Sequence, residues 1–421
     1  MKYLSSLLFL CLFTSSVSIQ VDQIFVSKEE EGMKLMVNGE DFMVNGMNWD
    51  YIPIGTNYSF NLWEQSEEMI EAALKSEMSL LKEMGVNTIR VYTGIPSKWI
   101  TYIYEKYGIY TMLNHPFGRY GVSIDGEWIP NTEYSDSKVK ETLLAEVEAL
   151  AEEYKNTSGL LMYLLGNENN YGLFWEGAET ENIPIADKKS SIRAKALYKL
   201  FNEAALAMKA IDASHPIVMC NGEVQFIDLI AEECKDVDIF GTNVYRGESF
   251  GDTFQKVKDK LNKPILFTEF GSDAFNAVKN EEDPTSQAYY MVCNWQEIYE
   301  NAAGLGKAGN AIGGFTFQFS DGWWKYGQTK NLEVHDNNAS WSNGGYQNDF
   351  VKGKNNMNEE WFGICAKELA NEDGLYQLSP RTAYYALKEA HQLNPYLSNL
   401  TLDDINTHFS NTLLNYSLDC K

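Results

Sequence analysis

The chain has 421 residues, 44% of them hydrophobic and 22% charged, a composition that excludes a disordered protein and a small disulfide-stapled scaffold. Its 34 basic and 59 acidic residues leave a formal charge of −25, which excludes the basic footprint that nucleic acid or an anionic membrane surface requires. The length admits either several small domains or one large α/β barrel.

The elements, taken in chain order, decide between these. Residues 1–18 read as a secretory signal: Lys2 is followed by an apolar stretch (residues 7–13), with Ser16 and Ser18 before a cleavage point. This predicts a secreted, extracellular or lumenal protein. The apolar stretch is too short to span a bilayer, and no later segment reaches spanning length, so no membrane insertion is expected. Residues 24–44 alternate short apolar runs with turns, and Asn38-Gly39 is a hairpin signal, so a small N-terminal β-hairpin is predicted. A first strand follows at residues 46–49. The chain then alternates: helix 67–84, strand 86–92, helix 99–107, strand 108–113, helix 137–154, strand 160–165, helix 188–211, strand 217–220. It continues with helix 226–234, strand 237–241, helix 254–261, strand 265–268, helix 287–302, strand 312–317 and helix 382–392.

Eight strand–helix units in order imply a parallel sheet closed into a single (β/α)8 TIM barrel, occupying residues 19–395. Residues 320–358 are rich in Gly, Asn and Trp and lack periodicity. They are expected to form one long loop after strand 8, over the catalytic face. Residues 396–421 are expected to be a polar C-terminal tail. Without the leader five cysteines remain (Cys220, Cys234, Cys293, Cys365 and Cys420), an odd number with no metal-site spacing. Asn57, Asn156, Asn338, Asn399 and Asn415 each open a glycosylation sequon.

In such a barrel the chemistry sits just past the strands. Read in order, these positions hold Asn48-Trp49-Asp50, Arg90 and Tyr92, Asn114-His115, Asn167-Glu168, Asn221, Asn243 and Tyr245, Glu269, and Trp323-Trp324. Glu168 and Glu269 end strands four and seven, across the barrel mouth from one another. Two carboxylates flanking one bond is the arrangement that glycoside hydrolysis needs, one to protonate the leaving oxygen and one to attack or to activate water. Either glutamate alone could be an ordinary loop acid; the pair at matched strand ends is harder to ascribe to accident.

Asn-Glu ending strand four and Glu ending strand seven resemble the retaining glycosidases of the clan A (β/α)8-barrel superfamily. Gly166-Asn167-Glu168-Asn169 and Thr268-Glu269-Phe270-Gly271 resemble the acid/base and nucleophile motifs of the glycoside hydrolase family 2 catalytic barrel. That family carries β-sandwich domains before its barrel, where this chain has a hairpin. The β-1,3-glucanosyltransferases are a more distant resemblance, with Phe270 standing where their motif has Tyr.

The resemblance implies a β-glycosidase acting on carbohydrate, β-glucan among the candidates, with Glu168 as general acid/base and Glu269 as nucleophile. Arg90 would hold Glu269 as an anion, or form a structural ion pair. Tyr245 would donate to the same carboxylate, and Asn167 would bond the sugar 2-hydroxyl. His115 is expected to line the sugar pocket or to serve packing. Trp323 or Trp324 would floor the subsite of the cleaved sugar, and Trp49, Phe174 and Trp175 would line further subsites or pack. No metal site is expected, since the cysteine spacing fits no metal knuckle and His115 has no second histidine nearby, and no cofactor is expected, a phosphate-binding loop being missing along with the Ser elbow. Two alternatives stay open: a transglycosylase using the same glutamates, and a carbohydrate-binding barrel without catalysis.

Overall fold

The computed structural model of the chain describes residues 22–92, 94–174 and 189–418. The predicted leader lies outside these residues, as do Trp175 and Cys420. Eight parallel strands close into a barrel: Val44–Asn48, Thr88–Val91, Tyr110–His115, Leu160–Leu165, Ile217–Gly222, Ile239–Asn243, Ile265–Phe270 and Ala311–Thr316. Each pairs with its sequence neighbours, and the eighth pairs with the first. Burial on both faces explains why the strands read as nearly continuous apolar runs.

Helices α1 (Glu67–Glu83), α2 (Ser97–Tyr107), α3 (Ser137–Tyr154), α4 (Lys189–Ile211), α5 (Ile227–Glu233), α6 (Thr253–Leu261) and α7 (Pro284–Glu300) connect successive strands, and α8 (Thr382–Ala390) follows the last. Local chemistry sets their limits. The Ser66 side chain caps α1 by accepting from the Met69 amide, and Ile70, Ala73, Leu74, Met78 and Leu81 form its buried stripe. Helix α2 stops at Gly108, whose φ of +71° suits a residue without a Cβ.

Two expectations at the ends of the chain are corrected. The N-terminal hairpin is a three-stranded antiparallel sheet, Ile24–Glu29, Gly32–Val37 and Glu40–Phe42. Its first strand continues through Ser27, Lys28 and Glu29, whose polarity hid a strand with one face turned to solvent. Ile24, Leu35 and Val37 pack with Val44, Met112, Leu164 and Leu266, so the sheet plugs the N-terminal end of the barrel. The C-terminal stretch is not a featureless tail. It carries α9 (Leu402–Asn415), opened by a reciprocal capping box between Thr401 and Asp404. Ile405, Phe409 and Thr412 are its buried face, and Phe409 meets Tyr299 of α7 edge-on at 5.4 Å. The helix also carries Leu402, Leu413 and Leu414, and Leu414 is exposed, so its apolar residues mark the buried face poorly in the sequence.

The long segment after the eighth strand lies over the C-terminal ends of strands six and seven. The Asn343 amide donates to the Tyr245 carbonyl (2.8 Å), and the Tyr346 hydroxyl donates to the Gly271 carbonyl. Of the sequons, Asn57 is closed in the fold: it is buried, and its amide donates to the Gln328 carbonyl. Asn156, Asn338, Asn399 and Asn415 are exposed. Among the described residues no helix is long and apolar enough to cross a membrane, and no cluster of three His, Cys, Asp or Glu could hold a metal ion.

Candidate active site

Alternation along the parallel strands turns Asn48, Arg90, Asn114, Asn243 and Thr268 inward, and all are buried. Arg90 on the second strand is the hub. Its guanidinium donates to Glu269 Oε1 (2.8 Å), the Thr268 carbonyl (3.1 Å), Asn114 Oδ1 (2.8 Å) and Asn167 Oδ1 (3.0 Å). A planar fork with five donors can satisfy this many acceptors at once; a lysine could not. The amide of Asn114 is itself fixed by donating to the Leu164 and Gly166 carbonyls.

Glu269, at the end of the seventh strand, receives two further donors. Tyr92 donates to Oε1 (2.9 Å) and Tyr245 to Oε2 (3.1 Å). Both phenols are pushed far above the usual tyrosine range, first by burial and then by the charge of Glu269, so they remain donors. The glycine of the Thr-Glu-Phe-Gly motif has a steric role: a Cβ on Gly271 would lie 2.5 Å from the Phe317 carbonyl oxygen, just past the eighth strand.

Glu168 sits in a different environment. It occupies the left-handed region (φ +57°), a conformation that costs a non-glycine residue energy and must be imposed by its surroundings. The imposing groups are visible. Asn169 Oδ1 accepts from the Asn167 amide (2.8 Å), while its Nδ2 donates to the Phe117 carbonyl and the Tyr134 hydroxyl, each at 2.8 Å. Glu168 is half-buried, and desolvation of its carboxyl, aided by repulsion from Glu269, pushes its pKa up to about 7. One neutral donor faces it, Asn243 Nδ2 at 3.1 Å. Asn243 also donates to Asn167 Oδ1 (3.2 Å) and is oriented by the Thr268 hydroxyl, which donates to its Oδ1 (2.6 Å). A continuous hydrogen-bonded chain therefore runs from Glu168 through Asn243, Asn167 and Arg90 to Glu269.

Of the residues singled out in the sequence, Arg90, Asn167, Glu168, Tyr245 and Glu269 come together here. His115 does not. Its neighbour Asn114 takes the inward position, so His115 faces the helix layer, where Nδ1 accepts from the Phe117 amide (3.2 Å) and Nε2 lies 3.4 Å from Glu146 of α3. Trp49 likewise faces outward and donates to Glu77 of α1. Trp323 is stacked against His335 (4.6 Å), which stacks on Trp361 (3.7 Å), and no contact in the described residues joins it to the glutamates. The eighth strand ends at Thr316, well before Trp323. The aromatic residue at that strand end is Phe317, half-buried and edge-on to Tyr245 at 6.4 Å.

In the sequence Phe317 reads as the last residue of the eighth strand, and the Trp pair further along the loop is the stronger aromatic signal. Tyr92 and Asn243 stood at strand ends in the sequence, but no role was given to them. Their inward alternation with Arg90 and with the strand-six core was the available signal. Cys220 also points inward, with Sγ 3.3 Å from Thr268 Oγ1; burial raises its pKa to about 11, so it stays a thiol.

Residues 29–321, which include both glutamates, match the family described as glycosyl hydrolases family 2, TIM barrel domain. A β-galactosidase of Staphylococcus xylosus is 27% identical over 159 residues, 37% of this chain and 16% of that protein. Among solved structures, a Bacteroides uniformis β-glucuronidase superposes with a TM-score of 0.56 at 14% identity, covering 87% of this chain and 37% of that one. A β-D-glucuronidase of Dictyoglomus thermophilum gives 0.55 at 16% identity, covering 89% of this chain and 55% of that one. The chain thus spans about a sixth of the length of the β-galactosidase it matches, and the structural likeness concerns the fold alone.

Proposed function

The chain belongs to glycosyl hydrolase family 2, and from that premise we propose that it hydrolyses β-O-glycosidic bonds of carbohydrate with retention of configuration. The observation that carries this reading is the unequal treatment of two glutamates joined by one hydrogen-bonded chain. Glu269 receives a guanidinium and two phenols, the coordination suited to a carboxylate that must be anionic to attack. Glu168 is desolvated and faces a neutral amide, which favours the protonated acid.

In the first step Glu168 gives its proton to the glycosidic oxygen while a Glu269 oxygen bonds to the anomeric carbon, breaking the C–O bond and forming a glycosyl ester. In the second step Glu168, now a carboxylate, takes a proton from water as the water oxygen displaces Glu269. The substitution occurs twice, so the anomeric configuration is retained. Asn167 donates one amide hydrogen to Tyr120 (3.0 Å), which leaves the other for the sugar 2-hydroxyl. Phe317, edge-on to Tyr245, would stack under the cleaved sugar. The leader-like residues 1–18 support action outside the cytoplasm.

The test is a panel of β-linked oligosaccharides and aryl β-glycosides followed by NMR of the freshly released anomer. A β-anomer appearing first from a β-substrate is expected. An α-anomer appearing first would overturn retention, and no release from any member would overturn hydrolysis.

A further inference from the structure

The rim of the barrel mouth carries a row of aromatic rings that the two-glutamate chemistry does not use. Tyr58 comes from the loop after the first strand, Tyr120 from the loop after the third, and Trp324 and Tyr326 from the loop after the eighth. The rings touch across these loops. Tyr120 stacks on Tyr326 (5.1 Å, 29° between planes), Tyr326 lies 5.9 Å from Tyr58, and Tyr58 lies 5.8 Å from Trp324. Trp128 stands beside the row, next to the residue that follows Tyr120. It sits on the hairpin Val122–Ile124/Glu127–Ile129 and lies so close to Gly121 that a Cβ there would be 2.5 Å from its ring.

These rings are open to solvent: Tyr326 is 69% exposed, Trp128 59%, Tyr58 53% and Tyr120 37%. Aromatic surface gathered from three loops and left in water is the mark of a binding face rather than of a core. The row is also tied to the site, because the Tyr120 hydroxyl accepts from Asn167 Nδ2 beside Glu168.

We propose that this row is an extended subsite that holds a chain of β-linked, all-equatorial hexopyranoses, so that the enzyme acts on oligosaccharide or polysaccharide rather than on single terminal sugars. An all-equatorial pyranose presents axial C–H groups on both faces, and these apolar faces match exposed rings; an axial hydroxyl would interrupt one of them. That the bound chain is cut and not merely held rests on the proposed function.

Calorimetric titration of the full chain in the Glu269→Gln background, with cellobiose, cellohexaose, laminaribiose and laminarihexaose as probes, tests this without cleavage. In one of the two series the hexasaccharide should bind about tenfold or more tighter than the disaccharide. That gain should vanish when Tyr58→Ala and Tyr326→Ala are added together. It should survive Tyr326→Phe, which keeps the ring, and Tyr385→Ala, an exposed ring on α8. No gain in either series, a gain that persists without both rings, or loss in Tyr326→Phe overturns the proposal. Because binding is read apart from turnover, a wild-type chain that binds long probes but cleaves nothing would refute the proposed hydrolysis and leave the subsite standing.

Discussion

The two halves of the barrel interior are built from the same eight strands and are chemically opposite. Toward the N-terminal end, Val44, Met112, Leu164, Val218, Leu266 and Ile312 meet the three-stranded plug in a mainly apolar layer. One or two inward positions further along the same strands, the layer becomes Asn48, Arg90, Asn114, Asn243, Thr268 and Glu269. Burying so many polar groups costs energy unless each is paired, and here they pair with one another through Arg90 and the strand-end carbonyls. The lower half supplies stability that the upper half consumes in holding charges where solvent cannot disperse them.

Substitutions in the two halves should therefore fail in different ways. The largest effect is expected from Glu269→Gln, which keeps the shape and removes the charge proposed to attack: kcat/KM measured by reducing-sugar release should fall by ~10⁴, and the thermal midpoint should fall too, because buried Arg90 loses its ion-pair partner. Arg90→Lys comes next. A lysine cannot serve the four acceptors of the fork, so kcat/KM should drop by roughly 10²–10³ and the thermal midpoint should fall as well. In the lower half, Leu266→Ala should invert that pattern. Denaturant unfolding should show a loss of about 2–5 kcal/mol, while kcat/KM of the folded enzyme stays within a few-fold.

The smallest effect is a pH dependence. Glu168 is raised from 4.5 to about 7 in the fold, so its favourable protonated form contributes fully below pH 4.5 and is lost as pH rises through about 7. Activity should fall over the same rise, because the proposed acid step needs that proton. Glu168→Gln has no charge to bury, so its thermal midpoint should overtake that of the wild type by a few degrees, roughly 1–3 °C, between pH 5 and pH 8.

The lower half was the more legible in the sequence. Short apolar strands of regular spacing announce a parallel barrel, and the fourth strand and α3 fall at the predicted residues. The two glutamates were legible because the barrel dictates where to look. What lay hidden depends on direction rather than identity. Asn114 and His115 are adjacent, and only the pleat shows that the asparagine faces Arg90 and the histidine faces α3. Phe317 and Trp323 are both aromatics after the eighth strand, and the strand's end at Thr316 decides which one reaches Tyr245. The aromatic row joins loops separated by more than two hundred residues of chain, a proximity that local sequence patterns do not encode.

The central claim is that the anion on the seventh strand forms a bond to sugar. Treatment with 2-deoxy-2-fluoro-β-D-glucosyl fluoride slows the second displacement, and peptide mass spectrometry then locates the trapped sugar. A single adduct on Glu269, missing in Glu269→Gln, is the predicted result. An adduct on another residue, or none alongside rapid release of inverted product, would contradict it.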